Sequence, residues 1–330
     1  MADRAARRVA LDAAGWLRAH RDAFRLGGDA LAPDGRVDAT WKPLGELAQV
    51  CATVTRRTAP ADPLHTWARD LLAFAWRETD EGALFVRMQR QEPFSTYPLE
   101  VYAAFASAGL RHPGYERAVA ALARCRGWQL TEQDPTRRLG VLAAQRHTGV
   151  RHTEAGNRAL RRTWLGGLPE PWTFERASGY AMTHVVFHLT DWGRATGNGE
   201  DAGSVPAGLT AYLTDWLPPW LDTCLEAGMW DLSVELLAVA GLLPGAEAAP
   251  YAQAWERVRA AQLPDGALPE DRPRADGPVP GFAHCYHSSL LAVFAAALTL
   301  ARPGRDPRPA HDARSAHDAH PPNDVLGVLG

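Results

Sequence analysis

The sequence predicts an all-α chain closed into an (α/α)6-type toroid of alternating inner and outer helices. Three observations lead there. Strand signals are almost absent: few stretches alternate with period two, and no Asn-Gly or Asp-Gly turn joins β-branched runs. Apolar residues recur instead at helical spacing, in segments of roughly 12–18 residues cut by Gly and Pro. Finally, segments apolar around their whole circumference alternate with one-sided segments, and successive buried ones begin roughly 30–55 residues apart, as in a repeated supersecondary unit. An inner ring sheathed by an outer ring buries the all-apolar helices completely. The same pattern is also open to an irregular helical bundle or an open solenoid.

Taken in order, residues 4–24 read as an additional helix on the rim. This stretch is basic and amphipathic, with neither the apolar run nor the cleavage site of a signal peptide. GELAQVCATVTRR, ending at Arg57, is amphipathic and assigned to the outer layer. The buried segments then begin near Leu64 (LHTWARDLLAFAW), Thr96 (TYPLEVYAAFASAG), Thr136 (TRRLGVLAAQRHTG), Gly179 (GYAMTHVVFHLTDWG), Met229 (MWDLSVELLAVAGLL) and Phe282 (FAHCYHSSLLAVFAAALTL). Between them lie the one-sided ALFVRMQRQ, GYERAVAALARCRG, GNRALRRTWLGG, LTAYLTDWLPPWLDTCLEAG and YAQAWERVRAAQ. One toroid domain is expected over 1–302. A Pro-, Asp- and His-rich tail over 303–330 has too little apolar content to pack, so disorder is expected there.

Hydrophobic residues at 46% and charged residues at 22% are ordinary for a globular chain, and a net charge of −3 disfavours nucleic acid as a partner. No run approaches the ~18 apolar residues of a membrane span. Cys51, Cys125, Cys224 and Cys285 are far apart in sequence, so free thiols and a cytoplasmic location are expected.

Polar residues on the all-apolar helices cluster in their first two turns: His65, Tyr97 and Glu100, Arg137 and Arg138, Thr183 and His184, Asp231 and Glu235, then His284, Cys285 and His287. Buried ionisable groups need partners, so these should line a cavity or pair with one another. If the inner helices run parallel, their N-termini converge on one mouth, where the helix ends favour an anionic or polarised ligand. His184, His188 and Asp191 share one face of THVVFHLTDWG. Two His at i,i+4 can chelate zinc, with Cys285 as a further ligand, yet a hydrogen-bonded buried pair is the commoner outcome. FAHCYHSS offers His287 as acid or base and Cys285 as nucleophile or thiol ligand. WDLSVELL offers Asp231 and Glu235 as paired carboxylates, or as partners of Arg137 or Arg138.

AQLPDGALPED followed by HCYHSSLLAVF resembles the loop and inner helix of terpene cyclases and protein prenyltransferase β subunits. The likeness lies in the turn Gln262-x-x-Asp265-Gly266-x-x-Pro269, and in His284 with Tyr286. The Asp-x-Asp-Asp acid of terpene cyclases and the Cys and Cys-His-Gly ligands of lanthionine cyclases are missing. Over more of the chain, THVVFHLTDWG, WDLSVELL, AQLPDGALP and CYHSSLL resemble an actinobacterial family found among natural-product gene sets, including ribosomal peptide pathways. The matching positions are Thr183, His184, Thr190, Asp191, Asp231, Glu235, Tyr286 and His287. This resemblance implies a tailoring or cyclisation role.

The expected function is therefore a non-redox cyclase acting on a peptide or small-molecule intermediate, alongside other biosynthetic enzymes. His184 and His287 would be acid and base, Asp191 would orient a His, and Asp231 with Glu235 would polarise substrate. Thr183, Tyr286, Arg137 and Glu100 would contact it. No cofactor is expected: no Gly-rich phosphate loop or dinucleotide fingerprint is present, and zinc on His184, His188 and Cys285 is the alternative. Two other readings remain open, a noncatalytic toroid that holds a peptide or partner and a carbohydrate-active α/α ring.

Overall fold

Four helix starts in this chain are written in capping chemistry. The Asp62 carboxylate accepts from the Leu64 backbone N–H and Pro63 occupies the first turn, so α3 (Pro63–Glu78) begins there. Asp134 with Pro135 starts α8 (Pro135–Thr148) in the same way, and His112 with Pro113 starts α6 (Pro113–Leu122). Glu175 and Ser178 cap each other's backbone at the head of α10 (Arg176–Leu189). The computed structural model describes residues 2–28, 30–32, 40–150, 156–194, 205–243, 251–274 and 276–301. Among these the chain forms fourteen α-helices and no strand. The expected tail over 303–330 lies outside the described residues.

Six helices close a ring. α2 (Trp41–Arg57) packs on α5 (Tyr97–Ser107), α5 on α8, α8 on α10, α10 on α12 (Trp230–Leu242), α12 on α14 (Tyr286–Leu300), and α14 returns to α2. Their sequences explain the position. Every residue of α12 from Trp230 to Ala240 is buried, as is nearly all of α14. The outer layer holds α1 (Ala2–Ala19), α3, α4 (Ala83–Gln91), α6, α9 (Gly156–Leu160), α11 (Ala207–Ala227) and α13 (Ala252–Ala261). The short α7 (Arg126–Thr131) leads into α8.

The inner helices run parallel. At one end a side chain built on Gly193, just past α10, would meet Leu242 of α12, Leu298 of α14 and Arg57 of α2, all C-terminal positions. At the other end the first turns of the same helices meet around a shared mouth.

Three expectations are corrected. α2, read as an outer helix, is an inner one, and α3, read as inner, is outer. α3 buries Leu64, Trp67, Ala68, Leu71, Leu72, Phe74 and Ala75 against α2 and α1 while Arg69, Asp70 and Arg77 stay exposed. α2 is buried against α14, α5 and α3 at once, which its moderate apolar content does not reveal. α1 does not sit on the rim. It is an outer-layer helix packed on α14, α13 and α3.

Candidate functional site

The mouth formed by the inner-helix N-termini holds one cluster of ionisable groups, supplied by α2, α10, α12 and α14. At its centre His287 and Asp231 are hydrogen-bonded, with the imidazole Nδ1–H donating to Asp231 Oδ1 at 2.7 Å. The second Asp231 oxygen accepts from Tyr180 Oη at 2.8 Å. Both carboxylate oxygens are thus engaged, which lets Asp231 stay ionised at 4% exposure. This pair also fixes the orientation of the ring, leaving His287 Nε2 turned to two other carboxylates. It lies 3.8 Å from Glu235 Oε1 and 3.8 Å from Glu46 Oε1. Glu235 Oε1 is in turn 3.8 Å from His184 Nε2.

Each carboxylate is steadied by a hydroxyl. Thr183 Oγ1 donates to Glu235 Oε2, Tyr286 donates to Glu46, and Tyr180 donates to Asp231. That arrangement consumes one oxygen per carboxylate. Glu235 Oε1 and Glu46 Oε2 remain buried without a hydrogen-bond partner.

Burial and mutual charge set the protonation pattern. Burial alone disfavours the His287 imidazolium, but the carboxylates of Asp231, Glu46 and Glu235 outweigh it and lift its pKa to about 10. Asp231 is opposed by burial but pulled below the ordinary carboxylate value by His287 and its two hydrogen bonds. Glu235 is pushed up, first by complete burial and then by its neighbours Asp231 and Glu46. Glu46 is raised by burial as well. His184 is held down to about 4 by burial and by the nearby charges of His287 and Lys42, the sole lysine of the chain. Its side chain is nonetheless 46% accessible. The imidazole is thus ringed by protein yet reached by solvent. A neutral imidazole, an imidazolium and a protonated carboxyl side by side form an acid–base set.

A loop braces this mouth. The turn Gln262-x-x-Asp265-Gly266 ties α13 to α1, since Gln262 Nε2 donates to the carbonyls of Val9 and Gly266. Further along, the Glu270 carbonyl accepts from the Asp231 backbone N–H at 2.9 Å, and the Ser289 hydroxyl accepts from the Leu268 N–H. The first turns of α12 and α14 are thereby held in register.

The remaining sequence-predicted residues fall elsewhere. Glu100 and Arg137 form an ion pair at 2.8 Å between α5 and α8, with Glu132 as a second partner of the guanidinium. Burial lifts the Glu100 carboxyl to about 7. His188 lies between this pair and the cluster, its ring pressed on Gly140, where a Cβ would come within 2.9 Å of the imidazole. Burial keeps it neutral, with a pKa near 3. His184 and His188 rings are 6.3 Å apart. Cys285 is fully buried, its thiol directed at the Pro280 carbonyl and pushed up to about 11 by burial, so the thiolate is disfavoured. The set His184, His188 and Cys285 is therefore not a ligand constellation. Among the described residues, Asp231, Glu235 and His287 are the group whose ligand atoms all lie within 4.8 Å of one another.

Asp191 is at the opposite end of the ring. It pairs with His147 at 2.7 Å at the C-terminal end of α8, with Arg194 beside it. It does orient a histidine, but neither His184 nor His287. His65, also on the predicted polar list, braces a loop by bonding the Thr58 carbonyl. A cavity of about 520 Å³ at this far end is lined by Arg56, Arg69, Arg77 and Trp76.

Sequence reasoning missed Glu46 and Tyr180. Glu46 stands in the second turn of α2, where the polar-in-first-turns rule would have found it had α2 been assigned to the inner ring. Tyr180 stands one turn before His184 on the same helix face, a spacing that was legible.

No curated protein and no solved structure matches this chain. Residues 10–297, which span every inner helix except the last turn of α14, match the profile of DUF6895, a domain of unknown function. The chain belongs to that family.

Proposed function

We propose that this chain is an enzyme catalysing a non-redox addition or cyclisation on a peptide or similar natural-product intermediate, working in the cytoplasm beside other biosynthetic enzymes. One observation carries the reading: five ionisable side chains from four separate inner helices converge on one mouth, with their carboxylates oriented by dedicated hydroxyls. A purely structural polar core would pair such groups off completely, whereas here two buried carboxylate oxygens lack a hydrogen-bond partner and a neighbouring imidazole is accessible.

In this reading His184, the accessible imidazole, exchanges protons with the substrate. His287, aligned by Asp231, supplies positive charge where negative charge develops, and Glu235 with Glu46 engages polar or cationic substrate groups. The surroundings favour a substrate with apolar side chains. Of the seven large apolar residues exposed among the described ones, Phe94, Leu130, Leu168, Trp172 and Val279 precede inner-helix N-termini and fringe this mouth. The resemblance to a family found with ribosomal peptide pathways points the same way.

The test is production of the chain with the precursor peptide and partner enzymes encoded beside its gene, followed by mass spectrometry of the peptide. His184→Ala and His287→Ala, made separately, are expected to abolish product with far-UV circular dichroism unchanged. Full product formation by both folded variants would overturn the enzyme reading in favour of a peptide-holding toroid.

A further inference from the structure

The unexplained feature of the mouth is the spacing around His287 Nε2. Its other nitrogen is tied to Asp231, so Nε2 is the working atom, and it stands 3.8 Å from Glu235 Oε1 and 3.8 Å from Glu46 Oε1. At that distance neither contact is a hydrogen bond, so a proton on Nε2 satisfies neither carboxylate. Two ligand atoms that share an ion at about 2.1 Å, however, stand roughly 3–4 Å apart. The buried Glu235 Oε1, at 0% exposure of its residue, has no donor, and neither has Glu46 Oε2. Burial without a partner opposes ionisation of these carboxyls, and a cation beside them removes that cost.

The surroundings are those of a ligand shell. A histidine that binds a metal through one nitrogen usually donates its other N–H to a carboxylate, as His287 does to Asp231, and that carboxylate is itself held by Tyr180. Thr183 and Tyr286 orient the two glutamates in the same manner.

We propose that Glu235 and His287, members of the group whose ligand atoms lie within 4.8 Å of one another, bind a divalent first-row transition ion at the mouth of the ring, with Asp231 orienting the histidine and Glu46, on the other side of His287 Nε2, adding negative charge beside the ion. Imidazole nitrogen and carboxylate oxygen, with no thiolate, suit zinc, manganese or iron(II) and disfavour copper(I). His184 Nε2, 3.8 Å from the same Glu235 oxygen, remains the proton-exchanging neighbour. The inference rests on the reading of this cluster as the working site, and in that reading the ion takes over the electrophilic role of His287.

The experiment is calorimetric titration of the full-length, chelator-stripped chain with zinc sulfate, repeated with manganese chloride, and with cobalt(II) followed by visible absorption. One ion per chain is expected for at least one of these metals. Glu235→Gln and His287→Asn should weaken binding at least tenfold and change the cobalt spectrum, and the milder Glu46→Gln, on a separate helix, should weaken it with folding intact. His311→Asn, His317→Asn and His320→Asn together, which remove the histidines near the C-terminus, should leave the ring-site affinity unchanged. Absence of binding by all three metals overturns the inference, as does binding that follows the C-terminal histidines and ignores Glu235, Glu46 and His287. Loss of turnover in His184→Ala without any bound metal would sink the ion and leave the enzyme reading standing. Stoichiometric metal at the cluster with no product would do the reverse.

Discussion

At the scale of single residues, the decisive contacts join a carboxylate to a hydroxyl or an imidazole. Asp231 uses both oxygens, and Asp231→Asn turns one acceptor into a donor and loosens His287. On the proposed reading, the expected result is a fall in turnover of about 10–100-fold, the usual effect of removing the carboxylate that orients a metal-binding histidine. Near-UV circular dichroism should stay native, since Asn fits the same volume. Thr183 acts differently, because its hydroxyl is the donor to a Glu235 buried on every side. Thr183→Val keeps the shape and deletes that donor, which should lower stability by about 1–3 kcal/mol in urea titrations. A change under a few tenths would mean that Glu235 finds another donor. The residues found from sequence and those missed differ in one respect. Asp231, Glu235 and His287 stand out against apolar neighbours, whereas Glu46 lies in GELAQVCATVTRR, where a charged residue looks like part of a solvated face.

At the scale of elements, the two ends of the inner helices do different work. Their N-termini carry the cluster, and their C-termini are held by basic groups on exposed carbonyls. Arg57 donates to the Gly193 carbonyl, Arg146 to that of His188, and Arg194 to that of Ser107. Asp191 belongs to this second end. Burial opposes its ionisation, but the hydrogen bond and charge of His147, with Arg146 and Arg56, outweigh burial and hold the carboxyl below its ordinary 3.8. A carboxyl depressed in the folded state stabilises the fold above its unfolded value, and that contribution disappears as pH falls through the folded one. Asp191→Asn should therefore cost stability at pH 7 and cost progressively less below about pH 4, as read by denaturant unfolding across pH. An equal loss at every pH would point to packing as the cause. The loop over 263–271 is the other element with a clear test. Gly266 has φ +95°, and a Cβ there would stand 2.4 Å from the Asp12 carbonyl oxygen. Gly266→Ala should lower stability by about 1–3 kcal/mol, visible as a fall in Tm. It should also reduce turnover, because the same loop holds Asp231 and Ser289 in place.

Across the whole molecule, closure of the ring turns scattered polar positions into a site. No inner helix alone carries more than two groups of the cluster, and only the return of α14 to α2 sets His287 beside Glu46. Five of the seven exposed large apolar residues follow the same geometry, since they sit in segments entering the inner helices. On the proposed reading, Trp172→Ser, at 80% exposure, should raise KM for a peptide substrate several-fold while leaving kcat and Tm nearly unchanged. No helix among the described residues is long and apolar enough to cross a membrane, so this apolar fringe is not a span. Helical period, Gly/Pro punctuation and capping pairs such as Asp62-Pro63 and Asp134-Pro135 are local properties, so the all-α class and most helix positions were legible in the sequence. So was the gathering of polar groups in the first turns, because burying them elsewhere would leave them unpaired. Which helix faces inward is not local. α2 and α3 differ little in apolar content, and their order was inverted until packing against α5 and α14 decided it. The same packing moved Asp191 to the far end, because one helix carries its first and last turns to opposite mouths. The sequence by itself determined that a buried polar centre exists. The tertiary structure alone decided its membership, since partners for buried charges come from helices up to 241 positions apart, such as those bearing Glu46 and His287.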